Sequence, residues 1–169
     1  MSDTSVFLPK GFFITGAKAS NSTSIANAFD AALLNAGIGQ CNLVEVSSII
    51  PPNAKQVHRP IEMPAGIIIF TILARKDGKS EEPIGAGIGW AWGILSTGKR
   101  LGIVVKEEIG SRDANLIEAE LEKKLKEMAN IRNMKLLEIH TRVEHMEVPK
   151  DKFGSVIVAF VYRQEAPLL

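Results

Sequence analysis

Residues 84–106, IGAGIGWAWGILSTGKRLGIVVK, contain two apolar segments separated by a short polar turn at Ser96-Thr97-Gly98. Short apolar segments bounded by turn residues are typical of β-strands, so 84–93 and 101–106 are predicted as strands. A connection this short joins antiparallel strands, because parallel strands need a long crossover. The stretch therefore predicts an antiparallel hairpin in the middle of the chain.

The segments on either side of this hairpin add two helices and further strands. Their order predicts an α+β fold, a layered α/β sandwich with largely antiparallel sheets, formed by one domain, 1–169. Apolar spacing and turn residues predict these elements: a strand at 11–17, a polar loop at 18–24 that can cap the following helix, a helix at 25–36, strands at 42–50 and 66–74, a charged turn at 76–79, a helix at 111–134, and strands at 136–148 and 153–162.

Composition excludes several classes of function. Twenty basic and 19 acidic residues leave a net charge of +1, so we expect no nucleic-acid partner. No apolar run approaches the length that spans a bilayer, and the N-terminal residues do not resemble a secretion signal, so we expect no membrane association. A single cysteine permits no internal disulfide and fits the reducing cytoplasm.

Three common site motifs receive a structural interpretation here. Gly85, Gly87 and Gly89 lie inside a predicted strand rather than at a strand-to-helix turn, so close backbone packing is favoured over nucleotide binding. The three histidines, at 58, 140 and 145, lack the spacing of metal ligands, and no metal site is predicted. Cys41, without a catalytic partner in view, is interpreted as a small buried side chain.

The segment Asn42–Pro52, NLVEVSSIIPP, is open to two interpretations. Two serines before a proline turn are common in loops, and Pro51 favours an extended exit from the strand. The order Asn27-Ala-Phe-Asp-Ala-Ala-Leu-Leu-Asn-Ala-Gly-Ile-Gly39, Asn42-Leu43, Ser47-Ser-Ile-Ile-Pro-Pro52 spans about 26 consecutive positions. Over these positions the chain closely resembles the N-terminal half of archaeal-type pyruvoyl-dependent arginine decarboxylases. Beyond residue 66 only the order of the elements follows that family.

The resemblance implies a proenzyme with the fold of the pyruvoyl-dependent histidine and arginine decarboxylases. Ser48 would attack the carbonyl carbon of Ser47 and cleave the backbone by autocatalytic serinolysis, giving a beta chain, 1–47, and an alpha chain, 48–169. The new end of the alpha chain would carry a pyruvoyl group derived from Ser48. This covalent cofactor would form a Schiff base with the substrate amine and withdraw electrons during decarboxylation.

The resemblance also implies catalytic roles for Asn42 and for a glutamate. Asn42 is expected to hydrogen-bond near the reaction centre, although a capping amide in a tight turn remains an alternative. The proton donor is expected in a Glu-x-x-Gly setting, which matches Glu107. An ungapped alignment places Lys106 at that position instead, so Glu108 stays as the second candidate. Either glutamate would need a raised pKa to donate a proton near neutrality.

Asp30 carries the expectation about the substrate. In the family, the aspartate of the Ala-Phe-Asp motif lies near the guanidinium end of the substrate, and a carboxylate binds a guanidinium through two parallel hydrogen bonds. This implies conversion of L-arginine to agmatine and CO2, a step of polyamine biosynthesis, although a surface acid remains an alternative for Asp30. The family assembles as trimers of cleaved protomers, or multiples of trimers, so a homo-oligomer is expected.

Two further alternatives remain open from the sequence. The same chemistry could act on histidine or another basic amino acid. An uncleaved homologue could instead serve as a binding or structural subunit, which the departure around Lys106–Gly110 keeps in view.

Overall fold

The computed structural model describes residues 8–60 and 62–164. The elements in these residues are β1 (Gly11–Asn21), α1 (Ile25–Asn35), β2 (Asn42–Glu45), β3 (Ile49–Ile50), β4 (Lys55–Gln56), β5 (Ile68–Lys79), β6 (Pro83–Leu95), β7 (Arg100–Ile109), α2 (Ala114–Ile131), β8 (Met134–Glu147) and β9 (Phe153–Arg163). They form two sheets, with α1 packed against β1 and β9 of one sheet and α2 packed against β6 and β8 of the other. The layers therefore run helix, sheet, sheet, helix.

The first sheet has the strand order β2-β5-β9-β1-β4, and the second has the order β3-β7-β6-β8. The strands pair antiparallel except at the two edges of the first sheet, where β2 runs parallel to β5 and β4 runs parallel to β1. The predicted α+β class, a layered sandwich with largely antiparallel sheets, is confirmed. Within the described residues, neither helix is long and apolar enough to cross a membrane.

The main core lies between the two sheets. Phe12 and Phe160 of the first sheet stack with ring centroids 4.5 Å apart, and Trp90 of the second sheet meets Phe160 edge-on at 6.4 Å. Ile50 and Ile88 are fully buried beside them. Because apolar burial is the largest favourable term in folding, this layer holds the two sheets face to face.

The glycines of β6 allow α2 to pack close to the second sheet. A methyl group added at Gly85 would lie 2.4 Å from Cδ1 of Ile117, and one added at Gly87 would lie 2.8 Å from Cδ1 of Leu121. These distances are shorter than any normal carbon contact, so a side chain at either position would displace the Ile117 or Leu121 side chain of α2. The close-packing interpretation of the alternating glycines is confirmed.

Two predicted loops are strands in the structure. Residues 18–21 continue β1, and residues 76–79 continue β5, because both pair with the same partner, β9, along its whole length. The chain turns after β5 at Glu81, which has a φ of 64°. The polar residues and the Asp77-Gly78 pair suggested turns, but a long antiparallel partner outweighs the weak local preference of such residues.

The ends of the helices follow their capping residues. Ser24 caps α1 by accepting a hydrogen bond from the backbone N–H of Asn27 at 3.1 Å, as the polar loop before the helix indicated. Gly37, with a φ of 76°, follows the C-terminal end of α1. Helix α2 is shorter than the predicted 111–134, because Asp113 caps it by accepting from the N–H of Asn115.

Candidate active site at the Ser47–Ser48 peptide

The predicted strand 42–50 is two strands in different sheets. Strand β2 ends at Glu45 on the edge of the first sheet, and β3 begins at Ile49 on the edge of the second. Residues 46–48 cross from one sheet to the other. The Ser47–Ser48 peptide therefore lies in the crossing, where regular strand pairing is interrupted, and this position corrects the prediction of one continuous strand.

Hydrogen bonds fix the backbone on both sides of this peptide. The N–H of Val46 donates to the carbonyl of Thr71 at 2.9 Å, and the N–H of Val104 donates to the carbonyl of Ser48 at 2.9 Å. Among the described residues, Ser47 itself makes no hydrogen bond. The peptide is thus attached to one sheet before Ser47 and to the other sheet from Ser48 onward.

An apolar pocket of about 270 Å³ lies beside the peptide, lined by Val46, Ser47, Ile49, Phe70 and Tyr162 among others. Ser47 is exposed and Ser48 is half-buried. The Tyr162 hydroxyl donates a hydrogen bond to the carbonyl of Ile49 at 2.7 Å. Burial raises the pKa of Tyr162, so its hydroxyl stays protonated and remains a donor. No motif in the sequence points to Tyr162, because it ends an ordinary apolar strand.

The residues after Ser48 pack tightly on β7. The side chain of Ile50 is fully buried, and a methyl group added at Gly102 would lie 2.6 Å from its Cβ. Arg100 donates to the carbonyl of Pro52 at 3.4 Å while its guanidinium lies 3.9 Å above the Trp92 ring. The segment from Ser48 to Pro52 is therefore fixed to the second sheet by backbone, side-chain and apolar contacts.

A second, more polar groove of about 560 Å³ lies between β5 and β7, and Asn42, Lys106 and Glu108 line it. The Lys106 ammonium is 2.9 Å from the carbonyl of Leu73, 3.0 Å from Oε1 of Glu108 and 3.8 Å from Oε2 of Glu45. Lys106 follows Val104 by two positions on β7. Its side chain is therefore on the same face as Val104, toward the first sheet.

Glu107 and Glu108 lie on opposite faces of β7. Glu108 accepts a hydrogen bond from the N–H of Arg75 at 3.1 Å, inside the groove. Glu107 points toward α2, where its Oε2 is 2.8 Å from the Lys124 ammonium. Burial pushes the pKa of Glu107 up, but the hydrogen bond and charge of Lys124 and the N–H of Glu108 outweigh it. The pKa therefore lies below its ordinary value of 4.5, opposite to the rise expected for a proton donor.

The sequence of this chain is similar to those of a known family. A sequence model of the pyruvoyl-dependent arginine decarboxylase family matches residues 11–167. The chain belongs to this family. It is 34% identical to the pyruvoyl-dependent arginine decarboxylase of Methanopyrus kandleri over 155 residues, 92% of this chain and 97% of the relative. It is 35% identical to that of Thermococcus sibiricus over 155 residues, 90% and 94% of the two chains. A third relative, from Methanothermobacter thermautotrophicus, is 31% identical over 149 residues, 88% and 93% of the two chains.

In this member of the pyruvoyl-dependent arginine decarboxylase family, one protomer does not bring all the predicted site residues together. Asn42 begins β2, where its amide donates to the carbonyl of Gly66 at 3.0 Å. Val46 lies four positions further on, roughly 13 Å away at the usual rise of a strand, and Ser48 lies beyond it. Asp30 is exposed on α1, outside both the pocket at Ser47 and the groove at Asn42.

The side chains of Cys41 and His140 contact neighbouring residues of the fold. Burial raises the pKa of the Cys41 thiol, which lies 3.9 Å from the sulfur of Met63 and is half-buried. His140 stacks on Trp90 with ring centroids 5.3 Å apart and contacts Glu138 at 3.0 Å. Across residues 8–60 and 62–164, no three His, Cys, Asp or Glu side chains are grouped so that they could bind a metal ion.

Proposed function

We propose that the chain is a pyruvoyl-dependent arginine decarboxylase, a lyase that converts L-arginine to agmatine and CO2. This proposal is supported by one observation: the chain belongs to the family, and its Ser47–Ser48 peptide is hydrogen-bonded to one sheet before Ser47 and to the other sheet from Ser48 onward. The names of the relatives supply the substrate. The reaction takes place in the cytoplasm, in keeping with a chain that has one cysteine.

Self-cleavage begins when the Ser48 hydroxyl adds to the carbonyl carbon of Ser47. The C–N bond breaks, and the acyl group moves from the Ser48 nitrogen to its oxygen as an ester. Loss of the Ser48 α-proton then expels the Ser47 carboxylate and leaves a carbon–carbon double bond at residue 48. Tautomerisation and hydrolysis by one water release ammonia and leave a pyruvoyl end. The products are chains 1–47 and 48–169.

The residues around Ser48 fit a pyruvoyl group at this position. Ser47 is exposed, so the new end of the 1–47 chain can move aside, whereas the Ser48 carbonyl is hydrogen-bonded to Val104 and Ile50, two residues further on, is buried. The group would supply a ketone that binds the substrate amine and withdraws electrons from the bond to the carboxylate. The Val104 N–H fixes the amide carbonyl next to that ketone, and Val46, Ile49 and Phe70 place mainly apolar side chains around it.

The groove between β5 and β7 supplies the polar side chains. Glu108 is the proton donor in this proposal, because it lies in the groove with Asn42, whereas Glu107 is paired with Lys124 on the other face. Asn42 orients the substrate by hydrogen bonding, and Asp30 binds its guanidinium. A carboxylate suits that role because it accepts two parallel hydrogen bonds.

A homo-oligomer, a trimer or a multiple of it, completes the site. Ser48 lies past one end of β2 while Asn42 begins its other end, and Asp30 is exposed on a separate helix. In one protomer these groups are too far apart to contact one small amino acid. Asn42, Glu108 and Asp30 of one copy therefore face Ser48 of a neighbouring copy.

A second candidate keeps the chemistry but changes the amino acid. The ammonium of Lys106 occupies the groove between Glu45 and Glu108, and this added cation would weaken the binding of another cation there. A less basic substrate such as histidine is the alternative that this observation favours.

Decarboxylation of carboxyl-labelled amino acids tests the proposal. Purified protein is incubated with labelled arginine, histidine or lysine, and released CO2 is counted. Arginine should give the highest kcat/KM, a preference for histidine would establish the second candidate, and no release from any of the three would contradict both. Ser48→Ala should abolish release, whereas Ser22→Ala, at an exposed serine before α1, should not change it.

A further inference from the structure

The carbonyl of Ile49 lies one residue past the Ser47–Ser48 peptide and faces away from the second sheet. Strand β3 is the edge of that sheet, and within residues 8–60 and 62–164 its strand partner is β7 alone. The Ser48 carbonyl already accepts from Val104 on that side. Because carbonyls alternate in direction along a strand, the Ile49 carbonyl points to the side where the sheet has no further strand.

Tyr162 supplies the missing donor from the other sheet. It lies on β9, in the middle of the first sheet, and its ring packs edge-on against Phe160 with centroids 5.1 Å apart. The residue is 6% exposed, and its hydroxyl reaches the Ile49 carbonyl at 2.7 Å. The Ile49 carbonyl is part-buried, and leaving it without a donor would cost free energy, so this bond replaces the pairing that an edge strand lacks.

We propose that Tyr162 is a positioning residue for Ser48, both during self-cleavage and in the cleaved enzyme. This inference rests on the proposed function. The bonds from Val104 to Ser48 and from Tyr162 to Ile49 lie on opposite edges of the same short strand. Together with the pairing of Ile50 and Gly102, they hold β3 on both of its edges, and only the bond from Tyr162 holds the edge that faces away from β7.

Movement of β3 would matter because both reactions depend on the geometry at residue 48. Before cleavage, the Ser48 oxygen must approach the carbonyl carbon of Ser47, and a displacement on the order of 1 Å lowers such rates strongly. After cleavage, residue 48 is the first residue of its chain and loses the restraint that Val46 provided through Thr71. The bonds to Ser48 and Ile49 are then the polar contacts nearest to the new chain end.

The test compares Tyr162→Phe with Thr15→Val. Both variants keep the shape of the side chain and remove one part-buried hydroxyl that donates to a backbone carbonyl at 2.7 Å, but Thr15 bonds to Ala36 under α1. The full chain is made in a cell-free system, synthesis is stopped, and conversion to the two fragments is timed by intact mass. Thermal unfolding of both variants is measured in parallel.

We expect Tyr162→Phe to cleave about five- to tenfold more slowly than wild type, and Thr15→Val to cleave at the wild-type rate with a similar loss of thermal stability. The cleaved Tyr162→Phe enzyme should show a lower kcat at an unchanged KM. If the two variants cleave at equal rates, the positioning role of Tyr162 is wrong, while the proposed function is unaffected. A wild-type chain that never cleaves would overturn the proposed function as well.

A second measurement applies if Tyr162→Phe does not unfold cooperatively. Tyr162 is the only tyrosine, so growth on fluorotyrosine changes this one hydroxyl. Fluorination makes the phenol a stronger donor, so the labelled chain should cleave at least as fast as wild type. Slower cleavage would contradict the inference.

Discussion

Replacement of Gly102 by alanine would put a methyl group into the space that Ile50 occupies. The added carbon would lie 2.6 Å from Cβ of Ile50, 2.9 Å from its Cδ1 and 3.0 Å from its Cγ1. Because the nearest atom is next to the backbone, a rotamer change cannot relieve the contact, and β3 itself must move away from β7. Ser48 precedes Ile50 by two positions, so the displacement of β3 reaches the scissile peptide.

Gly102→Ala changes the free energy of unfolding through both the folded and the unfolded state. Overpacking of a core costs about 1–3 kcal/mol. Loss of glycine's freedom in the unfolded chain returns about 0.4–1 kcal/mol. The net destabilisation is between about 0 and 2.6 kcal/mol, which for a chain of this length lowers the thermal midpoint by up to about 10 °C. We also expect Gly102→Ala to remain largely uncleaved under conditions in which it is folded.

Thermal denaturation and the cleaved fraction by intact mass measure both effects. Gly110→Ala is the matched control, because a methyl group there would meet only the carbonyl of Pro83, at an ordinary 3.8 Å. The control should unfold and cleave like wild type. If Gly102→Ala behaves like Gly110→Ala in both assays, the position of β3 does not depend on Gly102, and the contact between Gly102 and Ile50 does not control cleavage.

Three further predictions concern the glutamates of β7 and the cap of α1. Glu108→Gln should lower kcat roughly 100- to 10,000-fold in the labelled-arginine assay, as loss of a general acid does, whereas Glu107→Gln should keep kcat within a fewfold; the reverse pattern would restore Glu107 as the donor. Folding lowers the pKa of Glu107, so as the pH falls the unfolded chain takes up a proton at this carboxylate first. The stability that the pair with Lys124 provides is therefore present above pH 4.5 and is lost as the pH falls below it. The unfolding midpoints of wild type and Glu107→Gln should differ near neutrality and converge in acid. Ser24→Ala should destabilise the protein by about 1 kcal/mol in denaturant unfolding, and an unchanged midpoint would show that the cap is not needed.

The sequence was a good guide where the deciding residues are neighbours in the chain. The strands predicted on either side of the Ser96–Gly98 turn pair as β6 and β7. The Ser47–Ser48 cleavage site also lies in one continuous segment, and it stays a prediction. The sequence was a poor guide where two distant segments meet. Tyr162 contacts a carbonyl 113 residues away, and the pattern of β9 shows only an apolar strand.

Strand boundaries explain two of the errors at the site. The strand predicted at 101–106 ends before the glutamates, whereas β7 runs to Ile109, and only a strand separates Glu107 from Glu108 onto opposite faces. The apolar run 42–50 suggested one strand, because hydrophobic pattern does not record which sheet a residue joins. Both corrections required the pairing of β7 with β3 and β6.

The mass of the purified wild-type protein under denaturing conditions tests the central claim most directly. We expect two chains, 1–47 and 48–169, the second lighter by one ammonia than the same chain with a serine at its end, and a single uncleaved chain for Ser48→Ala. A folded wild-type protein that shows only the intact 169-residue chain would contradict it.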